Sequence, residues 1–166
     1  VVQRTTTASV CQGVPPFIAE LDGHIKRFSH RGVPELQRLL GGVNWEGRWG
    51  KMSLMLLDFT PDNLFVDEKK LSFTDPWRQG TYLGHPAVSI GQFSTLMCLY
   101  QMQDALRATD MLRLRCLSEL STMLGFDVFA VEKAYHLGCT LQYVLSSYVR
   151  KESDPELAEQ LMSRAQ

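Results

Sequence analysis

The 166-residue sequence has few cysteines, and none of them are grouped: Cys11, Cys98, Cys116 and Cys139 lie far apart. There is no C-x-x-C and no histidine pair at zinc-ligand spacing, which argues against a zinc finger or ribbon and against a disulfide scaffold. Free, buried thiols in a reducing cytoplasm are the expectation. The longest apolar run, Leu54 to Leu57, is far short of the roughly 20 residues that cross a bilayer, so no membrane span is expected. No signal peptide opens the chain, and its first residue, Val1, is what a processed chain or a segment of something longer would show. A charge imbalance is missing too: 17 basic residues face 18 acidic ones, for a net −1, too little to hold a polyanion against salt. The densest basic stretches, Lys26-Arg27 with His30-Arg31 and Arg107 with Arg113 and Arg115, are not interleaved with aromatics and read as solvated faces rather than a nucleic-acid platform. Seven Pro and twelve Gly are too few for a disordered or collagen-like composition. No internal repeat or low-complexity tract is visible.

What remains is a chain of 45% hydrophobic and 21% charged residues, the composition of one globular domain over residues 1–166. Pro15-Pro16 followed by Phe17, Leu21, Ile25 and Phe28 predicts an amphipathic helix over about 16–29. Pro34 to Leu40, closed by Gly41-Gly42, predicts a short one, and Val43 to Gly50 a loop. Ser53-Leu-Met-Leu-Leu57, Leu64-Phe-Val66 and Leu71-Ser-Phe73 read as short strands around one tight hairpin, with Asp67-Glu-Lys-Lys70 as its turn. Pro76 to Pro86, with Gly80 and Gly84, reads as irregular and is long enough to be suspected of function. Helices are expected near 87–103, 109–124, 127–150 and 154–165, the last opened by Ser153-Asp154-Pro155-Glu156. The expected fold class is mainly α with a small β-hairpin, a motif core over 52–91 and a helical remainder over 92–166.

The chemistry is to be sought at the hairpin. Asp58-Phe-Thr-Pro-Asp-Asn63 lies between two strand-like runs and Asp75 ends the second arm, so three oxygen-bearing side chains meet at one end of the hairpin. Phosphoryl transfer needs such a set: a carboxylate to accept the proton of the attacking hydroxyl, and an amide and a carboxylate to hold magnesium, which takes hard oxygen ligands. A plain turn is the competing explanation of Thr60-Pro61-Asp62-Asn63, whose residue types turns favour anyway. A calcium loop starting at Asp58 fails, because its sixth position would be Asn63 in place of Gly and its twelfth Lys69 in place of Glu.

The longer pattern, Asp58, Pro61 and Asn63, then the hairpin, Asp75 and Gly84-His85-Pro86-Ala87, resembles the aminoglycoside phosphotransferase and choline kinase-like branch of the protein-kinase-like fold. In that family the motif is His-Gly-Asp, two residues, usually Pro, one residue and Asn, then a hairpin ending in a metal-binding Asp and a Gly-x-Pro leading into a helix. The resemblance covers about residues 15 to 150 and implies the C-terminal lobe of such an enzyme. It implies Asp58 as the catalytic base, Asn63 and Asp75 as magnesium ligands, ATP as phosphoryl donor and a small-molecule hydroxyl as acceptor. Asp62 is not implied as a ligand. Two departures touch the support of these positions: Leu56-Leu57 stand where the family has His-Gly, and Ser89 stands where it often has an Asp that bonds the catalytic-loop backbone.

Nothing before Asp58 reads as the nucleotide-binding N-terminal lobe with its strand lysine; Lys26 and Lys51 are not in a credible position for it. The expectation is therefore an enzyme segment whose partner lobe is missing, or, in the alternative, a catalytically inactive kinase-like binding module. A lobe without its partner would leave an apolar face uncovered and would self-associate. His85 could touch a substrate but reads more simply as a solvated loop residue. Trp77 and Tyr82 flank the same loop, Trp77 reading as its anchor on the core. His24, His30 and His136 have no ligand partners at useful spacing, and Ser9, Ser94 and Ser118 lack a nucleophile-elbow context.

Overall fold

The computed structural model describes residues 53–56, 59–73, 81–100 and 105–165. The two helices expected before residue 41, the loop after them, and the side chains of Cys11, His24, His30, Asp58, Asp75 and Trp77 lie outside the described residues. The architecture is mainly helical. Among the described residues four short strands come first, β1 (Ser53–Leu56), β2 (Leu64–Asp67), β3 (Lys70–Phe73) and β4 (Thr81–Gly84), and four helices follow: α1 (Pro86–Leu99), α2 (Ala105–Thr122), α3 (Val128–Arg150) and α4 (Pro155–Ala165). These helices fall within a few residues of the four expected from the apolar periodicity.

The helix ends follow from local chemistry. At α3, Asp127 Oδ1 accepts from the Ala130 N–H at 2.9 Å, and Arg150 in the last turn faces the negative end of the dipole. At α4, Asp154 Oδ1 accepts from the Leu157 N–H at 3.1 Å, with Pro155 in the first turn and Glu156 behind it. Between α2 and α3, Gly125 takes φ 67°, a left-handed geometry open to glycine, and lets the chain double back so that the Phe126 N–H donates to the Leu120 carbonyl at 2.9 Å.

Helix α1 needs a different explanation. Its residues Val88, Ile90, Gly91, Ser94 and Thr95 are poor helix formers. The helix is buried on nearly every side, with Ala87, Val88, Ser89, Gly91, Gln92, Ser94, Thr95 and Leu96 all buried. Tertiary packing, not propensity, holds it. It runs against α3 at backbone distance: a Cβ added at Gly91 would strike the Tyr135 carbonyl oxygen, and one added at Gly138 would strike the Val88 carbonyl oxygen. Around this crossing the core gathers Val88, Val131, Ala134, Leu137, Leu141 and Val144, with Cys116, Leu120 and Phe126 joining from α2 and the turn after it. Each such aliphatic side chain contributes about 1.5–3 kcal/mol by leaving water. Helix α4 closes the far side of α3, where the Ser147 hydroxyl donates to the Ala158 carbonyl at 2.7 Å and Leu161 is fully buried. The Arg113–Glu132 ion pair, 3.0 Å, links α2 to α3 at a half-exposed site and is worth under about 1 kcal/mol; Arg113 is thus not a free member of a basic patch.

The strands depart from expectation in two ways. The hairpin is β2 with β3, in the register Leu64↔Phe73, Phe65↔Ser72, Val66↔Leu71 and Asp67↔Lys70, so its loop is only Glu68-Lys69. Glu68 takes φ 39°, the positive φ that a two-residue hairpin loop demands, here adopted by a residue with a Cβ. Asp67 and Lys70, expected in the turn, belong to the ladder. The second departure is the segment expected to be irregular over Pro76 to Pro86: its Thr81–Gly84 portion is β4, antiparallel to β1 with Ser53↔Gly84 and Leu56↔Thr81. Gly80 and Gly84 read as loop residues, but Thr81-Tyr82-Leu83 between them has strand character that shows only once β1 is placed beside it. Tyr82 pairs with Met55 in this ladder.

The glycine crossing generates a prediction. Gly91→Ala and Gly138→Ala each force a methyl into backbone that cannot give way, so each is expected to cost about 3 kcal/mol, the upper end for overpacking. The thermal midpoint should drop by about 6–12 °C, measured by circular dichroism.

Candidate functional site

The site begins where β1 hands over to the segment 59–63. Thr60 has extended backbone, and Pro61–Asn63 forms a single 3₁₀ turn closed by the Asn63 N–H on the Thr60 carbonyl at 3.1 Å. Pro61 in the first position supplies the required φ and needs no N–H partner. The Leu64 N–H returns to the Pro61 carbonyl and opens β2 directly. The four residues that read equally as a plain turn are therefore a turn in fact, and the question becomes what the turn presents. Asn63 is half-buried; Asp62 is exposed.

The turn rests on α1 at two points. The Phe59 ring lies on the Phe93 ring, centroids 4.9 Å apart, and the Tyr100 hydroxyl, one residue past the end of α1, donates to Asp62 Oδ2 at 2.6 Å. Phe93 and Tyr100 are two helical turns apart on one side of α1. Both contacts come from one side of α1.

The three expected reacting residues are placed unequally. Asn63 is on the turn. Asp58 immediately precedes Phe59 and Asp75 follows Phe73 by two residues in the sequence, but both lie outside the described residues. The Leu64↔Phe73 pair brings the chain leaving Asn63 and the chain leading towards Asp75 to the same end of the hairpin, as the motif requires. An amide and a carboxylate, as at Asn63 and Asp75, are donor types that magnesium takes. Among the described residues no group of three or more His, Cys, Asp or Glu side chains could hold a metal by itself.

His85 corrects the reading of a solvated loop residue. It is fully buried as the cap of α1, its Nδ1 accepting from the Ala87 N–H at 3.3 Å and its ring edge-on to Phe126 at 5.0 Å. Gly84 is buried beside it, and β4 turns it inward; no pattern in Gly84-His85-Pro86 marks that turn. Its Nε2, the Ser89 hydroxyl and the Gln92 Oε1 are buried with no hydrogen-bond partner among the described residues. His136 is exposed, with Glu132 at 3.9 Å, and takes no part. The described thiols are free, as expected: burial pushes Cys116 up to about 12 and raises Cys139, so neither is a nucleophile at neutral pH.

No protein-family model matches the chain, and comparison with curated proteins and with solved structures finds no match. No described helix is long and apolar enough to cross a membrane.

Burial lowers the His85 pKa from 6.5 to about 4. The unfolded chain takes a proton below about 6.5 that the folded state refuses. Stability is then unaffected by this group above pH 6.5, falls as the pH drops below it and stops falling below about 4. Between pH 7 and 5 the loss is about 2 kcal/mol. His85→Asn, which keeps a capping acceptor, should lack this component, so its urea midpoint should fall less than the wild type's over that range.

Proposed function

We propose that the Asp58–Asp75 segment is the metal and catalytic segment of an ATP- and magnesium-dependent phosphotransferase of the aminoglycoside phosphotransferase and choline kinase-like type, acting on a small-molecule hydroxyl. The observation that carries this reading is the turn itself. Pro61–Asn63 is a tight 3₁₀ turn that runs without a break into β2, and β2 pairs with β3 so that Asn63 and the approach to Asp75 share one end of the hairpin. A solvated loop of the same composition has no reason to be seated on a buried helix through Phe59 and Asp62. In this reading Asp58 accepts the proton of the acceptor hydroxyl and orients it, while the Asn63 amide and the Asp75 carboxylate hold magnesium. The ion supplies charge stabilisation at the transferred phosphoryl group. The mainly helical remainder, packed on α1, corresponds to the C-terminal lobe of a kinase-like fold.

The second reading, a kinase-like module that binds without catalysis, draws on one observation: the Ser89 hydroxyl is buried and has no hydrogen-bond partner among the described residues. The two readings part on nucleotide and metal. Under the first, millimolar magnesium with ATP raises the thermal midpoint by mass action, and Asp75→Ala or Asp58→Asn abolishes magnesium-dependent ADP release with a panel of hydroxyl compounds. Turnover retained by Asp75→Ala would sink the assignment. Under the second, neither addition moves the midpoint.

A further inference from the structure

We propose that Tyr100 is a positioning residue for the Asn63 amide, acting through its hydrogen bond to Asp62. This rests on the reading of Asn63 as a metal ligand and goes beyond it, because nothing in the Asp58–Asp75 motif points to position 100.

Asp62 is the middle residue of the Pro61–Asn63 turn and is exposed. An exposed carboxylate beside a metal-binding amide would ordinarily hydrate or compete for the ion. Here Oδ2 accepts the Tyr100 hydroxyl at 2.6 Å, the length of a charge-assisted O–H···O bond. The Tyr100 backbone N–H donates to the Leu96 carbonyl at 2.9 Å, which ties its main chain to the end of the buried helix α1.

The second tether, Phe59 on Phe93, holds the start of the segment, and the Tyr100 hydroxyl holds the middle residue of the turn. With both points held, the 3₁₀ turn resists pivoting about the Phe59 contact, and the direction in which Asn63 leaves it is restrained. The bond also draws the Asp62 carboxylate towards the end of α1. Outer partners of this kind characteristically change metal affinity by 10–100-fold when removed.

The test uses Mn²⁺ in place of Mg²⁺, with binding to the whole chain read by electron paramagnetic resonance and thermal midpoints recorded alongside. Asn63→Ala should lose the binding. Tyr100→Phe and Asp62→Ala should each weaken it by about tenfold, the double variant no more than either single one, and Asp62→Asn, which still accepts the phenol, should keep most of it. A merely structural role would lower the midpoint of Tyr100→Phe and leave Mn²⁺ affinity within twofold, and that result overturns the proposal. If the wild type binds no Mn²⁺, or Asn63→Ala binds as well as wild type, the metal reading itself fails and takes the proposal with it. If Asn63→Ala loses binding and Tyr100→Phe does not, only the positioning role fails.

Discussion

The approach of two helix backbones at Gly91 and Gly138 is the constraint on which the rest of the structure depends. Because each glycine faces a carbonyl of the other helix, α1 lies deeper against α3 than side-chain packing would allow. That depth lets α1 be covered on its other side by β1 and by the turn at Pro61–Asn63. A helix made of Val, Ile, Ser, Thr and Gly would not form in water, and here it need not. Its hydrogen bonds form where its neighbours exclude solvent, and its rigidity passes to whatever rests on it.

Seen from α1, the molecule has two halves with different physics. Towards α3 the contacts are apolar and close, and the thiol of Cys139 donates weakly to the Gly91 carbonyl at 3.4 Å. Towards the turn stand the aromatic rings of Phe93 and Tyr100; the buried polar groups of α1 and its cap include His85, Ser89 and Gln92. Buried polar atoms without partners cost free energy, commonly 1–3 kcal/mol each. Such atoms, at His85, Ser89, Gln92 and Ser94 in and beside α1, are a poor way to stabilise a core. Local consistency is expected to fail at functional positions, where stability is not the only requirement.

Much of the helical architecture was legible in the sequence because its signals are local. Asp127 and Asp154 cap as acids before apolar periodicity should, and Gly125 ends α2 with the one backbone geometry that favours glycine. The hairpin was legible for the same reason, to within its loop. Strand β4 was not, since Thr81–Gly84 becomes a strand only by pairing with β1, more than twenty residues earlier, and its glycines speak for a loop. His85 was misjudged because a histidine between Gly and Pro carries no mark of depth; β4 and Phe126 together bury it. Of the candidate site, the turn bearing Asn63 was legible as a pattern, while its seating on Tyr100 joins residues 38 apart and has no sequence signature.

The β1–β4 ladder has one more consequence. By pairing Leu56 with Thr81 it brings two distant points of the sequence together, so the intervening segment begins and ends at one place. Lengthening such a segment changes the closure entropy only slowly. Changes of length between these two points therefore cost the helical body little.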